Sequence, residues 1–366
     1  MQRGLSWRNF DFLLLGVIVL ATSFGVAMIR SAVAGNEELA PLVSRQIYFA
    51  LLGLVLIFIV ASVDYRYWLA LYRPIYFGIM VFLISLSSLG QVAFGAQRWF
   101  QVGVLFIQPT EFAKIVVVIV LARYFELTQN DPRDLRWIIK AFLWAFGLMF
   151  WILLQPNLSN VIVILVVFAA MIWINGLQIR QLLIFGATGL LLAFAAFPFL
   201  QPYQQARVLT FIRPNPNASY GATYNVEQAL VAIGSGGLFG KGYGHGTQTQ
   251  LRFLKVRHTD FIFSAISEEF GLVGAVLVIL ILGFIIWRCL RAAQKARDVS
   301  GAMLAYGVAI LIFFQGAINI GVNLNIVPVS GLPLPFISYG GSGLTALMLG
   351  IGLVESVTMR HKQLDF

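Results

Sequence analysis

The chain has 366 residues, of which 59% are hydrophobic and only 11% charged, with a mean hydropathy of +0.85. An ordinary soluble domain is excluded, because there about a quarter of residues are charged, and the chain reads as an all-α polytopic integral membrane protein. The formal net charge of +10 comes from basic residues scattered among apolar spans, without a basic domain, so nucleic acid is excluded as a partner. The single cysteine, Cys289, excludes an intrachain disulfide framework and a cysteine metal site.

Apolar runs of spanning length fall at 10–29, 47–63, 75–90, 107–125, 137–154, 160–174, 181–200, 261–287, 303–322 and 337–357, which predicts about ten transmembrane helices. The first run is as long as a full span and lacks a small-residue cleavage site, so it reads as a helix, not a removed signal. An even number of spans puts both termini on one side. With the termini inside, the inner segments collect Arg8, Arg66, Arg73, Arg123, Arg133, Arg136, Lys140, Arg180, Arg288, Arg291, Lys295 and Arg360, among others. The short outer loops hold only Arg30, Arg45 and Arg98, so the excess of cations favours cytoplasmic termini.

Between the third and fourth runs, Gly95-Ala96-Gln97-Arg98-Trp99-Phe100 puts a cation beside two aromatic side chains on the outer face. The rings suit an interfacial belt, whereas Arg98 runs against the charge bias and could bind phosphate oxygens through two parallel hydrogen bonds. The next helix opens Gln108-Pro109-Thr110-Glu111-Phe112-Ala113-Lys114, with proline suited to its first turn and Glu111 and Lys114 three apart on one face. Charge at membrane depth is costly. The pair is either a structural ion pair or the lining of a cavity in which Lys114 holds an anionic head group and Glu111 orients a hydroxyl or a cation.

Orientation places the long polar segment 201–260 outside, as a large extracytoplasmic loop between helices 7 and 8. Its aromatic residues and the helix-like stretch 226–233 argue for a folded loop on the outer mouth. Arg207, Arg213, Lys241, Arg252, Lys255 and Arg257 make it basic. The glycines at 234, 236, 237, 240, 242, 244 and 246 either make turns or bring N–H groups to an anion, and their spacing does not follow a nucleotide-binding P-loop. The loop ends in Arg257-His258-Thr259-Asp260, where polar residues meet the next apolar run. Asp260 there reads either as the N-cap of the following helix or as a desolvated carboxylate raised toward base-like behaviour, and the two are compatible. Glu268 and Glu269, being adjacent, point in different directions. Near the end, the proline-punctuated 329–336 forms an uncharged outer loop, and Ser338-Tyr339-Gly340-Gly341-Ser342-Gly343 opens the last helix with small residues suited to close packing. No internal repeat and no matched pair of interrupted helices is evident, which weakens a transporter reading.

Five separated motifs, 95–100, 108–114, 234–242, 258–274 and 333–343, make the chain resemble the SEDS family of bacterial cell-wall polymerases over almost its whole length. Arg257 before His258-Thr259-Asp260 and the Leu332-Pro333-Leu334-Pro335 loop are similar to the elongation branch of that family, not the division branch. The resemblance implies a single membrane domain over residues 1–366 in the bacterial cytoplasmic membrane. It implies a peptidoglycan glycosyltransferase that polymerises lipid II into β-1,4 glycan at the outer face during elongation and shape maintenance. Undecaprenyl diphosphate-linked glycan is then the second substrate, and a class B penicillin-binding protein, a transpeptidase of the elongation (PBP2) type, the partner. Asp260 falls on the family's essential aspartate and Glu111 and Lys114 on its cavity pair. Arg98, Arg207, Lys241, His258 and Thr259 complete the candidate substrate-binding set. No cofactor is certain, and a divalent cation, Mg2+ or Mn2+, is left open.

Two departures stand out. The family's Gln-Pro-Asp-Leu-Gly reads Gln155-Pro156-Asn157-Leu158-Ser159 here, and its Leu-Pro-Glu before the aspartate motif reads Leu254-Lys255-Val256. A lipid II flippase using the same polar cavity and a non-catalytic scaffold for the transpeptidase are the rival functions.

Overall fold

A computed structural model of the chain describes residues 7–361 apart from 90, 94–95, 103–104 and 214–220. Its helices are α1 (Phe12–Val33), α2 (Pro41–Ser62), α3 (Tyr65–Ala70), α4 (Tyr72–Leu89), α5 (Pro109–Leu127), α6 (Leu135–Leu154), α7 (Leu158–Ile174) and α8 (Ile179–Ala196), then α9 (Pro202–Ile212), α10 (Ala222–Gly236), α11 (Thr247–Gln250), α12 (Ile262–Gln294), α13 (Val299–Asn323) and α14 (Gly341–Met359). Each of the ten apolar runs falls on one of these helices. Six of them, α1, α2, α6, α12, α13 and α14, are by themselves long and apolar enough to cross a membrane.

The bundle packs around α5 and α14. Nearly every residue of α14 is buried, and its small residues let neighbours close in. A Cβ added to Gly352 would stand 2.8 Å from Cβ of Val60 on α2, and one on Gly341 would collide with the Phe49 ring. The packing role expected of the small residues opening this helix is therefore what the structure shows. Helix α5 is also buried along most of its length, against α4, α6, α7, α13 and α14. Its position explains how a helix carrying Glu111 and Lys114 sits in an apolar bundle, since its charged face meets protein and not lipid.

Two features lie outside the sequence expectation. A three-stranded antiparallel sheet, β1 (Gln91–Ala93), β2 (Ala96–Val102) and β3 (Leu105–Ile107), joins α4 to α5. It is tied to the start of α14 by Ser342, whose hydroxyl donates to the Phe106 carbonyl (3.1 Å) and accepts from the Gln108 N–H (2.9 Å). In addition α12 is broken at Gly271, which has φ of 65° and ψ of −159°.

The break in α12 is filled by the loop that follows α10. The N–H groups of Lys241 and Gly242 donate to the carbonyls of Glu268 (3.0 Å) and Glu269 (2.9 Å), and those of Leu272 and Val273 donate to Gly237 (2.9 Å) and Leu238 (3.1 Å). The backbone groups freed by the interruption are thus satisfied by protein, as a low-dielectric setting requires. Gly236 and Gly240 permit the approach, because a Cβ on either would collide with the carbonyl of Ser267 or Glu269. The turn reading holds for Gly237, Gly240, Gly242 and Gly244, which have left-handed φ, and Gly236 and Gly240 add a second role. They are where one backbone lies against another.

The described residues of the long polar segment 201–260 are folded, as expected. Helix α10 covers the stretch read as helix-like and packs on α12 and α13, with Val226 and Ala229 joining Leu254, Phe261 and Val322 in a small core of their own.

Gly240→Ala is expected to lower stability by about 2 kcal/mol or more, because it combines a left-handed φ of 79° with backbone contact. Gly234→Ala, at an open helical position, is expected to be neutral or stabilising by up to about 1 kcal/mol. Thermal unfolding of the two purified variants in the same detergent checks the contrast.

Candidate active site

Asp260 sits on a run of turns between α11 and α12 whose backbone is pinned carbonyl by carbonyl. The His258 carbonyl accepts from the Tyr339 N–H (2.9 Å) and the Thr259 carbonyl from the Ser338 hydroxyl (2.7 Å). The Asp260 carbonyl accepts from two side-chain amides of α13, Asn319 (3.0 Å) and Asn323 (2.9 Å). Upstream, the buried Arg257 donates through Nε to the Ala32 carbonyl at the end of α1 and through Nη1 to Leu254 (3.2 Å).

The carboxylate of Asp260 is not an N-cap. Helix α12 begins at Ile262 and the flanking Phe261 makes no side-chain cap. The orphan N–H of Ser264 in the first turn donates instead to Oδ1 of Asn323 (3.0 Å), which also accepts from the Ser264 hydroxyl (2.6 Å). Capping is thus supplied by the neighbouring helix, and the capping reading of Asp260 is corrected. Two asparagines four apart in an otherwise apolar span were the sequence signal for this arrangement.

With its backbone fixed, the Asp260 side chain faces the 329–336 loop and Arg207. A Cβ placed on Gly331, where φ is +73°, would lie 3.8 Å from Asp260 Oδ2 and 3.7 and 4.0 Å from the two terminal nitrogens of Arg207. The loop is held there by its Ser330 carbonyl, which accepts from Arg207 Nη1 (3.3 Å) and the Ser159 hydroxyl (2.5 Å), and by the Leu332 carbonyl, which accepts from Asn319 (2.8 Å). Arg207 lies on α9 with its guanidinium over the Tyr203 ring. Burial pushes the Asp260 carboxyl up from 3.8 to about 6, with the Arg207 charge opposing the rise.

Beneath the same loop lies the second polar group. Lys114 Nζ donates to Glu111 Oε2 (2.7 Å) and to Asn160 Oδ1 (3.3 Å), while the Asn160 amide donates to Thr110 Oγ1 (3.1 Å) and Glu111 Oε1 (3.4 Å). A Cβ on Gly343 would sit 3.2 Å from Glu111 Oε2 and 3.9 Å from the Pro333 ring, so this pair and the proline loop share a wall. Asn157, where the family pattern has a carboxylate, caps α7 by accepting from the Asn160 N–H (3.4 Å). An amide caps as well as a carboxylate does.

The other expected residues are placed as follows. The backbone of Arg98 lies in β2, and its side chain falls outside what is described. Lys241 is engaged with the fully buried Glu268 (3.0 Å), which also accepts from Thr247, Gln248 and Thr249, and so it anchors the loop. Glu269 turns the other way, to the Ser31 hydroxyl (2.5 Å). The Thr259 hydroxyl donates to the Val256 carbonyl (3.3 Å). Burial, reinforced by the adjacent Arg257, holds the His258 imidazole down at about 4, so the ring is neutral at physiological pH.

Among the described residues no three His, Cys, Asp or Glu side chains converge to hold a metal ion. Asp260 is a single carboxylate with a cation beside it and Glu111 is already paired with Lys114, a donor set that does not fit a protein-held divalent site.

The chain was compared with known proteins. A protein-family model described as FTSW_RODA_SPOVE, cell cycle protein, matches residues 5–363. Stage V sporulation protein E of Bacillus subtilis is 33% identical over 360 residues, covering 95% of this chain and 96% of the relative. Peptidoglycan glycosyltransferase MrdB of Escherichia coli is 34% identical over 352 residues, covering 95% and 94%. Among solved structures, a chain from a peptidoglycan synthase complex that coordinates polymerization and crosslinking superposes with a TM-score of 0.83 at 30% identity, covering 98% of this chain and 100% of that one. Rod shape determining protein RodA of Thermus thermophilus superposes with a TM-score of 0.73 at 30% identity, covering 98% and 99%.

The raised carboxyl of Asp260 has a consequence for stability. A group protonating near 6 when folded and near 3.8 when unfolded penalises folding above about pH 6, and the penalty vanishes below about pH 4. Asp260→Asn removes it, so the variant is expected to unfold at a higher temperature than the parent at about pH 8 and at the same temperature at about pH 4. Melting curves at the two pH values test this, and a gap of equal size at both would show that the carboxylate is not desolvated.

Proposed function

The chain belongs to the FtsW, RodA and SpoVE family, and from that premise we propose that Asp260 is the general base of its glycosyl transfer. The protein is a peptidoglycan glycosyltransferase, which polymerises lipid-linked glycan at the membrane. The observation that carries the assignment is the Asp260 carboxylate itself: fixed at its backbone by two asparagine amides, desolvated, and beside Arg207.

In this reading the 4-hydroxyl of the N-acetylglucosamine of an incoming lipid II lies against Asp260. The carboxylate takes the hydroxyl proton as the oxygen attacks the anomeric carbon of the lipid-linked N-acetylmuramic acid on the growing strand. The bond from that carbon to the diphosphate breaks, and undecaprenyl diphosphate leaves with the electron pair. One displacement inverts the α-linked diphosphate into a β-1,4 bond, with no covalent enzyme intermediate. A carboxyl protonating near 6 is ionised at neutral pH yet basic enough to accept a proton as the bond forms. Arg207, Lys114 and Arg98 are the cations assigned in this reading to offset charge on the departing diphosphate. His258 and Thr259 shape the site through the carbonyls that hold residues 338–339.

The same reading extends to the setting. Ten helices cross the cytoplasmic membrane with both termini inside, the chain forms one membrane domain, and residues 201–260 lie at the outer mouth. A class B penicillin-binding protein is the partner, as suits a chain whose solved relative sits in a synthase complex. Arg257 and the Leu332-Pro333-Leu334-Pro335 loop, together with the likeness to RodA, support a role in elongation over one in division or sporulation. Rescue of rod shape in elongation-defective cells, but not of septation or spore formation in the corresponding mutants, checks that branch.

Purified protein with its transpeptidase is expected to convert lipid II to polymer, and Asp260→Asn to lower the rate by about a hundredfold to ten-thousandfold. Full activity in a folded Asp260→Asn protein removes the residue as base. A folded parent complex that makes no polymer but moves lipid II across liposomes would turn the assignment toward transport.

The double variant Glu111→Gln, Lys114→Met keeps the volume of the buried pair without its charges, so the protein is expected to fold. Its kcat is expected to fall about a hundredfold with little change in KM, because leaving-group charge develops in the transition state. Unchanged kcat would make the pair purely structural.

A further inference from the structure

At the end of the bundle opposite Asp260 the chain forms an open cavity of about 360 Å³. Helices α12 and α14 both begin beside the active site and both end here, and α14 alone, at about 1.5 Å per residue, separates the two places by nearly 30 Å. The volume falls within the range of ligand pockets, about 300–1,000 Å³. Four cations line it: Arg8 from the segment before α1, and Arg288, Arg291 and Lys295 from the last turns of α12. One carboxylate, Asp11, faces them, with His361 beyond the end of α14.

That carboxylate is already occupied. Asp11 Oδ1 accepts from the Leu14 N–H (3.1 Å) as the N-cap of α1, and its Oδ2 accepts from Arg288 Nε (2.6 Å). The Asp11 N–H in turn donates to the fully buried Glu355 on α14 (3.0 Å). Arg288 and Asp11 therefore brace the ends of α1, α12 and α14 together. Among the described residues Arg8, Arg291 and Lys295 make no ion pair. Among the described residues, three cations without an ion pair thus converge on one recess.

Cations at helix C-termini and on the inner side of a membrane protein are common, since both the helix dipole and topology favour them. Those causes place charge anywhere on the face. They do not gather it into a cavity drawn from three chain segments. The rim supplies a second observation: Phe12 and Leu13, which also line the cavity, are 62% and 65% exposed, and the half-exposed Trp287 lies under the guanidinium groups of Arg288 and Arg291. A free anion needs no apolar wall. A phospholipid does, because its phosphate and its acyl chains must be met one above the other.

We propose that this cavity is a binding site for the phosphodiester head group of an anionic membrane lipid. Arg8, Arg291 and Lys295 neutralise the phosphate, and Phe12 and Leu13 run beside the upper acyl chain. The Asp11–Arg288 pair forms the floor and keeps the three helix ends in register. The bound lipid thereby joins α1 to α12 and α14 at the end remote from the chemistry.

The test uses the full chain in detergent and counts retained lipids by native mass spectrometry during titration with phosphatidylglycerol or phosphatidylcholine. The parent is expected to retain one phosphatidylglycerol in preference to phosphatidylcholine. Arg291→Gln, Lys295→Gln, which changes two exposed side chains, is expected to weaken that binding about tenfold. The control pair Arg136→Gln, Lys140→Gln removes two exposed cations from the same end of the bundle outside the cavity, and is expected to leave it unchanged. Melting temperatures without added lipid verify that both variants are folded. Equal loss in the control pair, or no loss in the cavity pair, overturns the site. If inorganic phosphate at matched concentration displaces the lipid and protects the parent from heat as well as phosphatidylglycerol does, the cavity takes a free anion and the lipid assignment fails.

Discussion

Two side-chain amides on α13 tie the Asp260 turn, the proline loop and the start of α12 to one helix. Asn319 and Asn323 both donate to the Asp260 carbonyl, Asn319 also to Leu332 and Asn323 also to the Asn319 carbonyl, while Asn323 Oδ1 takes the orphan N–H at the start of α12. A buried amide left unpaired costs roughly 1–3 kcal/mol, so a network in which each one is used is stiff as well as stable. It relieves Asp260 of capping and leaves the carboxylate to the site. The Asp260 turn and the proline loop thus share a tie to one helix, α13, beside the bonds that each makes elsewhere.

A second constraint operates at the break in α12. Interrupting a helix at membrane depth frees carbonyl and N–H groups that lipid cannot satisfy, and here a glycine-rich loop lies against the break and pairs with them. The loop after α10 is therefore part of the bundle's hydrogen bonding. Glu268 extends the same logic to side chains, since one buried carboxylate gathers Lys241, Thr247, Gln248 and Thr249 and fixes the loop in place.

Much of this was legible in the sequence. Apolar runs located the helices because hydrophobic length is a local property, and Glu111 and Lys114 were readable as a pair because i and i+3 face the same way in any helix. Asp260 stood out by its place between a polar loop and an apolar span. What was not legible depended on partners far along the chain. Nothing near Asp260 signals that its helix is capped from Asn323, and nothing near Lys241 signals a carboxylate 27 residues away. The glycines of 234–242 could not be told from turn formers, since the backbone they lie against belongs to α12. The sheet at 91–107 was missed because three short strands between helices carry too little period-two pattern to register.

The burial of α5 bears on how the protein is made. Lys114 is shielded by Asn160 of α7, and Glu111 stands against Gly343 at the head of α14. An isolated α5 leaving the translocon would carry both groups in its first two turns, near one end of the span, where a charge costs less than the roughly 2.5–3.5 kcal/mol of one at the middle. Its shield is completed only by the final helix, some 230 residues later in synthesis. The polar surroundings of the pair are therefore complete only when segments far apart in synthesis, α5, α7 and α14, have met. A chain cut short before α14 would keep Lys114 paired with Glu111 and Asn160 but would lose the wall that Gly343 sets against the Glu111 carboxylate.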